Sequence, residues 1–262
     1  MPYVTSHGTE IYYETHGEGQ QPIVFAHGMG GNAAIWFNQL ARFAGQHRIV
    51  TFDHRYFGRS RCSAAQFDPR LFPDDVIAVM DAAEVPRAVF VCQSMGGWTG
   101  SQMALLHPQR VQGLVMSHTP GVFVSEHAEA DPKAVAEFVS APPGRFGSGA
   151  LADDFPRKNL AGAILYSQIS SFNDIDPAVI PRSIAAAGLS QDTAELSSYD
   201  VPTLFISANH DKLFPPGYLG ALADSLPGAQ FVNLGDAGHS SYFELPDAFN
   251  EVLAQFIGTL SR

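Results

Sequence analysis

Cysteine is scarce in this 262-residue chain. Cys62 and Cys92 form neither a C-x-x-C pair nor a zinc-ligand spacing, so neither a disulfide framework nor a structural metal is expected. Positive charge is also scarce. Fifteen Lys and Arg stand against 26 Asp and Glu, a formal net charge of −11 with no basic stripe, which argues against a nucleic-acid or anionic-membrane partner. No apolar run approaches the roughly 20 residues that span a bilayer. No basic segment followed by an apolar one opens the chain as in a signal peptide, and there is no N-x-S/T sequon. Two reduced thiols and cytoplasmic residence are the expectation. Repeats and low-complexity tracts are absent too. What remains is an ordinary globular composition, 45% hydrophobic and 16% charged. A chain this long buries roughly 70–75% of its unfolded surface and needs no crosslink to fold.

Up to residue 120, strand-like and helix-like runs alternate. Tyr3–Ser6 and Glu10–Thr15 flank a His-Gly turn and read as a hairpin. Ile23–Ala26, Arg48–Phe52, Ala88–Val91 and Val111–Met116 are short apolar strands. Between them, Ala33–Phe43 and Phe72–Ala83 carry helical spacing. Continuous Val/Ile/Phe runs between helices imply a parallel sheet covered on both faces. The pattern breaks after Pro120, where helical stretches are interrupted by Pro142, Pro143, Pro156, Pro177 and Pro181. It returns with the strand Val201–Ser207, a helix near Tyr218–Ser225, the strand Gln230–Leu234 and a helix after Pro246. The simplest parse is one α/β core, residues 1–120 and 197–262, with a helical insertion at 121–196. An insertion between strands of an open sheet lies over their C-terminal edge, where such folds bind ligands.

The chemistry centres on Cys92-Gln93-Ser94-Met95-Gly96-Gly97, between an apolar strand and a helix-compatible run. Strand, tight turn and helix in that order put a serine on a strained turn with its hydroxyl exposed. The turn resembles the G-x-S-x-G nucleophile elbow of the α/β-hydrolases, with Cys92 for the first glycine. Serine at neutral pH needs a base, and the base needs an orienting acid. The elbow predicts both downstream, acid before histidine. Asp211 follows directly from the strand Val201–Ser207, and His239 is the only histidine beyond it, in Gly235-Asp-Ala-Gly-His239. Asp236 reads as a turn residue. His27-Gly28-Met29-Gly30-Gly31 supplies a flexible loop, in which the N–H groups of Met29 and Met95 are the candidate oxyanion donors. His27 reads as an anchor for that loop. No Gly-Lys-Ser/Thr follows, so the loop is not a phosphate cradle.

Together with Asp53-His-Arg-Tyr-Phe-Gly-Arg-Ser60, which resembles D-x-R-G-x-G-x-S, these motifs make the chain similar to the α/β-hydrolase superfamily through nearly all of its length outside the insertion. The resemblance implies a mostly parallel, doubly wound, eight-stranded sheet with an inserted helical cap. It also implies Ser94 as nucleophile, His239 as base and Asp211 as acid, with no cofactor and no metal. A rival acid position of some family members reads Ser117-His118-Thr119 here, with no carboxylate. Two departures stand out. Cys92 is small enough to be tolerated at the elbow, with a redox thiol as its alternative reading, and Tyr56 takes the place of a turn glycine. Aromatic and apolar residues near the catalytic loops and in the insertion, among them Trp98, Phe123, Phe146, Tyr166, Leu213 and Phe214, suggest a small apolar or aromatic substrate. They serve equally to pack a lid onto the body. Serine rather than aspartate at the elbow argues against dehalogenase and epoxide-hydrolase chemistry. Hydrolysis of a carboxylic ester is the leading expectation. A C–C bond hydrolase of ring-cleavage diketones, a lactonase and a cofactor-free haloperoxidase share the pattern. A cofactor-independent oxygenase and a hydrolase-like ligand receptor are the alternatives of another class.

Overall fold

The computed structural model describes residues 2–128, 133, 149–176 and 178–260. Eight strands form one sheet: β1 (Tyr3–Ser6), β2 (Thr9–His16), β3 (Ile23–Ala26), β4 (Ile49–Phe52), β5 (Ala88–Gln93), β6 (Val111–Ser117), β9 (Thr203–Ser207) and β10 (Gln230–Asn233). Their order is β1-β2-β4-β3-β5-β6-β9-β10. The first hairpin and the β2–β4 pair are antiparallel, and every other pairing is parallel. The strand from Val201 begins its ladder only at Thr203, after Pro202, which has no N–H to give. The helix expected from Ala33 opens instead as a 3-10 turn, Ala33–Trp36, capped by the Asn32 side chain. It continues as an α-helix over Phe37–Phe43.

Central strands β3, β4 and β5 are buried along their whole length, and strand periodicity divides their side chains between two cores. Val24, Val50, Phe90, Cys92, Leu114, Met116 and Phe205 face one side. There they meet the helices Phe72–Ala82, Gly96–Leu106 and Pro216–Ser225 through Val76, Met80, Met103 and Leu219. Ile23, Phe25, Ile49, Val89, Val91, Val115, Leu204 and Ile206 face the other, against Trp36, Phe43 and the Phe249, Leu253 and Phe256 stripe of the helix Pro246–Leu260. This three-layer arrangement explains why the strands read as unbroken apolar runs. Among the described residues no helix is long and apolar enough to cross a membrane.

Between β6 and β9 the described residues form the two-residue strands β7 (Phe123–Val124) and β8 (Gln191–Asp192), paired in parallel, and the helices Leu160–Ser170 and Val179–Ala187. Phe138, Phe146, Pro142, Pro143 and Pro177 lie outside the described residues. The segment is tied to the sheet's C-terminal edge by polar bonds. Asn32 Nδ2 donates to the Ile169 carbonyl at 2.9 Å. Asn173 Nδ2 donates to the carbonyls of Gly30 and Gly31 at 2.7 and 3.1 Å, while its Oδ1 accepts from Gly58 N at 2.8 Å. Tyr56 keeps the left-handed turn that glycine would adopt, at φ +80°. Its hydroxyl accepts from Asp176 N at 3.0 Å, so the side chain that strains the turn also holds the segment.

Candidate active site

Ser94 follows the last residue of β5 and sits at φ +49°, a left-handed conformation costing a non-glycine residue about 1–3 kcal/mol. Its N–H donates to the Ser117 carbonyl at 3.1 Å, and its own carbonyl accepts from Gly97 N at 2.8 Å. The glycines around it are there for clearance. A Cβ on Gly96 would strike the Ala26 carbonyl, and one on Gly28 would strike the side chains of Gln93 and Ser94. Cys92 fits because Gly100, in the next helix, leaves room for its sulfur. The thiol is fully buried and burial pushes its pKa up, so it is an inert packing group and not a redox thiol.

Three further loops at the same sheet edge complete the cluster. His239, beyond β10, places Nε2 2.8 Å from Ser94 Oγ. Its Nδ1 lies 3.1 Å from each oxygen of Asp211, beyond β9. A carboxylate only accepts, so Nδ1 carries the proton and Nε2 is free to accept from the serine hydroxyl. The acid and base loops are stitched together by Asn209 N to the Gly235 carbonyl and His210 N to the Ala237 carbonyl. Asp211 Oδ1 also accepts from the N–H groups of Leu213 and Phe214, at 2.9 and 3.0 Å. Burial alone would raise the Asp211 pKa. The adjacent His239 and the hydrogen bonds from His118 and His239 outweigh it and hold the carboxyl below its ordinary range. Asp236 is bonded to His210 and Lys158 at the surface, not to His239.

The loop His27–Gly31 comes beside the elbow. His27 Nε2 accepts from His54 N at 2.9 Å, so Nδ1 carries the proton and donates to the Gly28 carbonyl at 2.8 Å. Burial lowers its pKa, which leaves it a neutral anchor. A cavity of about 350 Å³ opens over Ser94 and is lined by Met29, Met95, Trp98, Pro120, Ile180, Pro181, Ile184, Ala185, Leu213 and Phe214. Among the described residues that line it, Ser94 carries the one hydroxyl and no side chain is charged. Of the residues expected to contact substrate, Trp98, Leu213 and Phe214 line the cavity, and Phe146 lies outside the described residues. Phe123 and Tyr166 are elsewhere, which corrects that expectation. Phe123 is sealed in the core, edge-on to Tyr199. Tyr166 packs on Phe243 and bonds Ser240 at 3.0 Å. Aromatic content in a segment does not say which face each ring takes, and here, among the described residues, the segment's cavity wall is made by the aliphatic helix Val179–Ala187.

Three polar residues at the site are missed by sequence reasoning. His118 bonds Asp211, Gln93 Nε2 donates to the His239 carbonyl at 3.1 Å, and Asn173 bonds the glycine loop. Gln93 stands inside the elbow motif and could have been singled out. His118 stands where a carboxylate was sought and not found. Nothing local marks Asn173.

A family model of the alpha/beta hydrolase fold matches residues 21–246, and the chain belongs to that family. Among solved structures, Est816, described as an N-acyl homoserine lactone degrading enzyme, is 32% identical with a TM-score of 0.79; the match covers 97% of this chain and 100% of that one. The enol-lactonase from Burkholderia xenovorans LB400 is 26% identical with a TM-score of 0.78, covering 98% and 100% of the two chains. RutD of Azorhizobium caulinodans, named as a carbamate hydrolase, is 27% identical over 284 residues spanning the whole of both proteins. The chain is thus an α/β-fold hydrolase of a family that acts on small molecules.

Proposed function

We propose that the protein is a serine hydrolase that cleaves a carboxylic ester, or a related acyl bond, of a neutral and largely apolar small molecule through an acyl-enzyme. The observation that carries this reading is the 2.8 Å contact between Ser94 Oγ and His239 Nε2 at the floor of a cavity whose walls, among the described residues, are otherwise largely apolar. In the proposed cycle Ser94 Oγ attacks the carbonyl carbon while His239 Nε2 takes its proton. Asp211 holds the imidazole in the required tautomer and stabilises its charged form. The N–H groups of Met29 and Met95 receive the developing oxyanion. Losing one such donor typically costs about 3–4 kcal/mol of transition-state stabilisation. The tetrahedral species collapses, His239 returns the proton to the leaving alcohol, and water repeats the sequence on the acyl-enzyme. Residues 121–196 act as the lid, bonded through Asn173 to the loop that carries Met29 and walling the acyl site with Ile180 and Ile184.

A lactone is the second reading, a cyclic ester opened by the same steps. It is supported by the likeness to Est816 at 32% identity. Removing the nucleophile in Ser94→Ala is expected to lower kcat/KM on short p-nitrophenyl esters by roughly 10⁴-fold or more. A fluorophosphonate is expected to label Ser94 alone. Undiminished turnover in the variant would sink the proposal.

A further inference from the structure

The Asp211 carboxylate has two imidazole partners. Opposite His239, Oδ2 accepts from Nδ1 of His118 at 2.7 Å, shorter than either contact to His239. His118 follows β6 directly, is fully buried, and is held at φ +55°, where its N–H donates to the Ile206 carbonyl of β9. Its Nε2 lies 2.7 Å from Ser241 Oγ, two residues after His239. The carboxylate can only accept, so His118 carries its proton on Nδ1 and accepts the Ser241 hydroxyl proton at Nε2. One neutral ring thereby ties the loop of the acid to the loop of the base from behind, across three neighbouring strands.

We propose that His118 is a positioning residue, which shares Asp211 with His239, fixes the carboxylate's rotation, and limits how much of its charge falls on the His239 ring. The inference rests on Ser94, His239 and Asp211 being the working triad. Both nitrogens of His118 are occupied, so it has none to offer Ser94. A cation at His118, Asp211 and His239, whose ligand atoms lie within 4.8 Å of one another, fits less well. Asp211 already accepts from four donor groups, and both rings present N–H to it.

The groups facing His239 define the pH argument. Asp211 and His118 lie on one side and the Ser94 hydroxyl on the other. Glu244 bonds Gly238 N in the same loop, and Tyr166 and Tyr242 sit against Ser240, with burial raising both phenols so that they stay neutral. Burial lowers the His118 pKa despite its bond to Asp211, so His118 is the uncharged partner. Removing its donor leaves His239 a larger share of the carboxylate charge, which makes that ring harder to deprotonate in the variant.

Two variants separate the two ends of His118. In His118→Asn the amide nitrogen falls near the place of Nδ1, and asparagine tolerates the left-handed backbone. In His118→Gln the amide reaches towards Ser241 and takes from Oδ2 its shorter donor, leaving His239 Nδ1 at 3.1 Å. On a p-nitrophenyl ester, His118→Gln is expected to lower kcat about tenfold with KM little changed, and to move the acid limb of kcat/KM upward by about half to one pH unit. His118→Asn is expected to keep the limb where it is. Equal limbs in both variants would show a packing role only and overturn the proposal. Proton NMR of the unaltered protein gives a readout that needs neither substrate nor a folded variant. Two far-downfield imidazole N–H signals are expected, one from each partner of Asp211, and a single one overturns the proposal. Failure of the serine-hydrolase reading shows differently, as an unlabelled Ser94 in the unaltered protein with both signals present.

Discussion

Acid is expected to unfold this protein through its sealed imidazoles before its carboxylates take part. His27, His54 and His118 are almost wholly excluded from solvent, and burial lowers the pKa of each, that of His54 most strongly. In the unfolded chain each titrates near its ordinary value of about 6.5. A histidine whose folded pKa is depressed leaves the unfolded state holding more protons, so its contribution is complete above about pH 6.5 and is lost as the pH falls. Each can remove at most about 1.4 kcal/mol per pH unit, and the three together give an upper limit of about 4 kcal/mol between pH 7.5 and 5.5. Against a typical domain stability of about 5–15 kcal/mol that is a large share. Asp211 plays no part in this window, because its depressed carboxyl gives up stability only below the ordinary carboxylate range. Asp75 and Glu244, both raised by burial, act with the opposite sign, and their influence grows towards lower pH. Urea melts at pH 7.5, 6.5, 6.0 and 5.5 are therefore expected to lose about 2–4 kcal/mol over the range. His118→Asn should remove up to about a third of that loss. A loss below about 1 kcal/mol over the range would refute the assignment of three neutral, buried histidines.

Two other perturbations test separate parts of the molecule. Asn173→Ala removes three hydrogen bonds between the 121–196 segment and the loops at Gly30, Gly31 and Gly58, worth about 2–3 kcal/mol together. A tenfold or greater fall in kcat/KM is expected, with Asn173→Asp, which keeps the Gly58 bond, no better; unchanged turnover in both would separate lid docking from catalysis. Cys92 should resist a maleimide in the folded protein, with hydrolase activity preserved, and react only in denaturant, whereas rapid labelling of the folded protein seen by mass spectrometry would contradict its sealed position.

The parts of the fold that could be read from the chain are those whose cause is local. The central strands are legible because burial on both faces forces unbroken runs such as Ile23–Ala26 and Ala88–Gln93. The elbow is legible because its glycines answer to clashes within a few residues of Ser94 and with the adjacent β3 loop. Asp211 and His239 are legible by their order along the chain, and the structure brings both to Ser94. His118 and Asn173 are of another kind. Their meaning comes from which strand lies beside which, β6 next to β9 in one case and a helical segment folded back onto the β3 loop in the other. Searching the position after β6 only for a carboxylate passes over the histidine that binds the carboxylate from next door. The same limit explains Phe123 and Tyr166, where only the packed structure decides between cavity and core.

The cavity and the triad divide the electrostatic work in a way that bears on selectivity. The charged side chain that the proposed mechanism uses, Asp211, lies behind Ser94, where two imidazoles and two backbone N–H groups donate to it. In front of Ser94 the lining, among the described residues, offers no cation. A neutral ester or lactone enters such a cavity at little desolvation cost, while a substrate already bearing a carboxylate would lose its hydration with nothing to replace it. In the proposed reaction hydrolysis changes that balance within the site, because an ester or lactone yields a carboxylate. The walls that accept the substrate disfavour the ionised product, so the apolar lining serves release as well as binding, and an arginine added to tighten acyl-group binding would work against turnover.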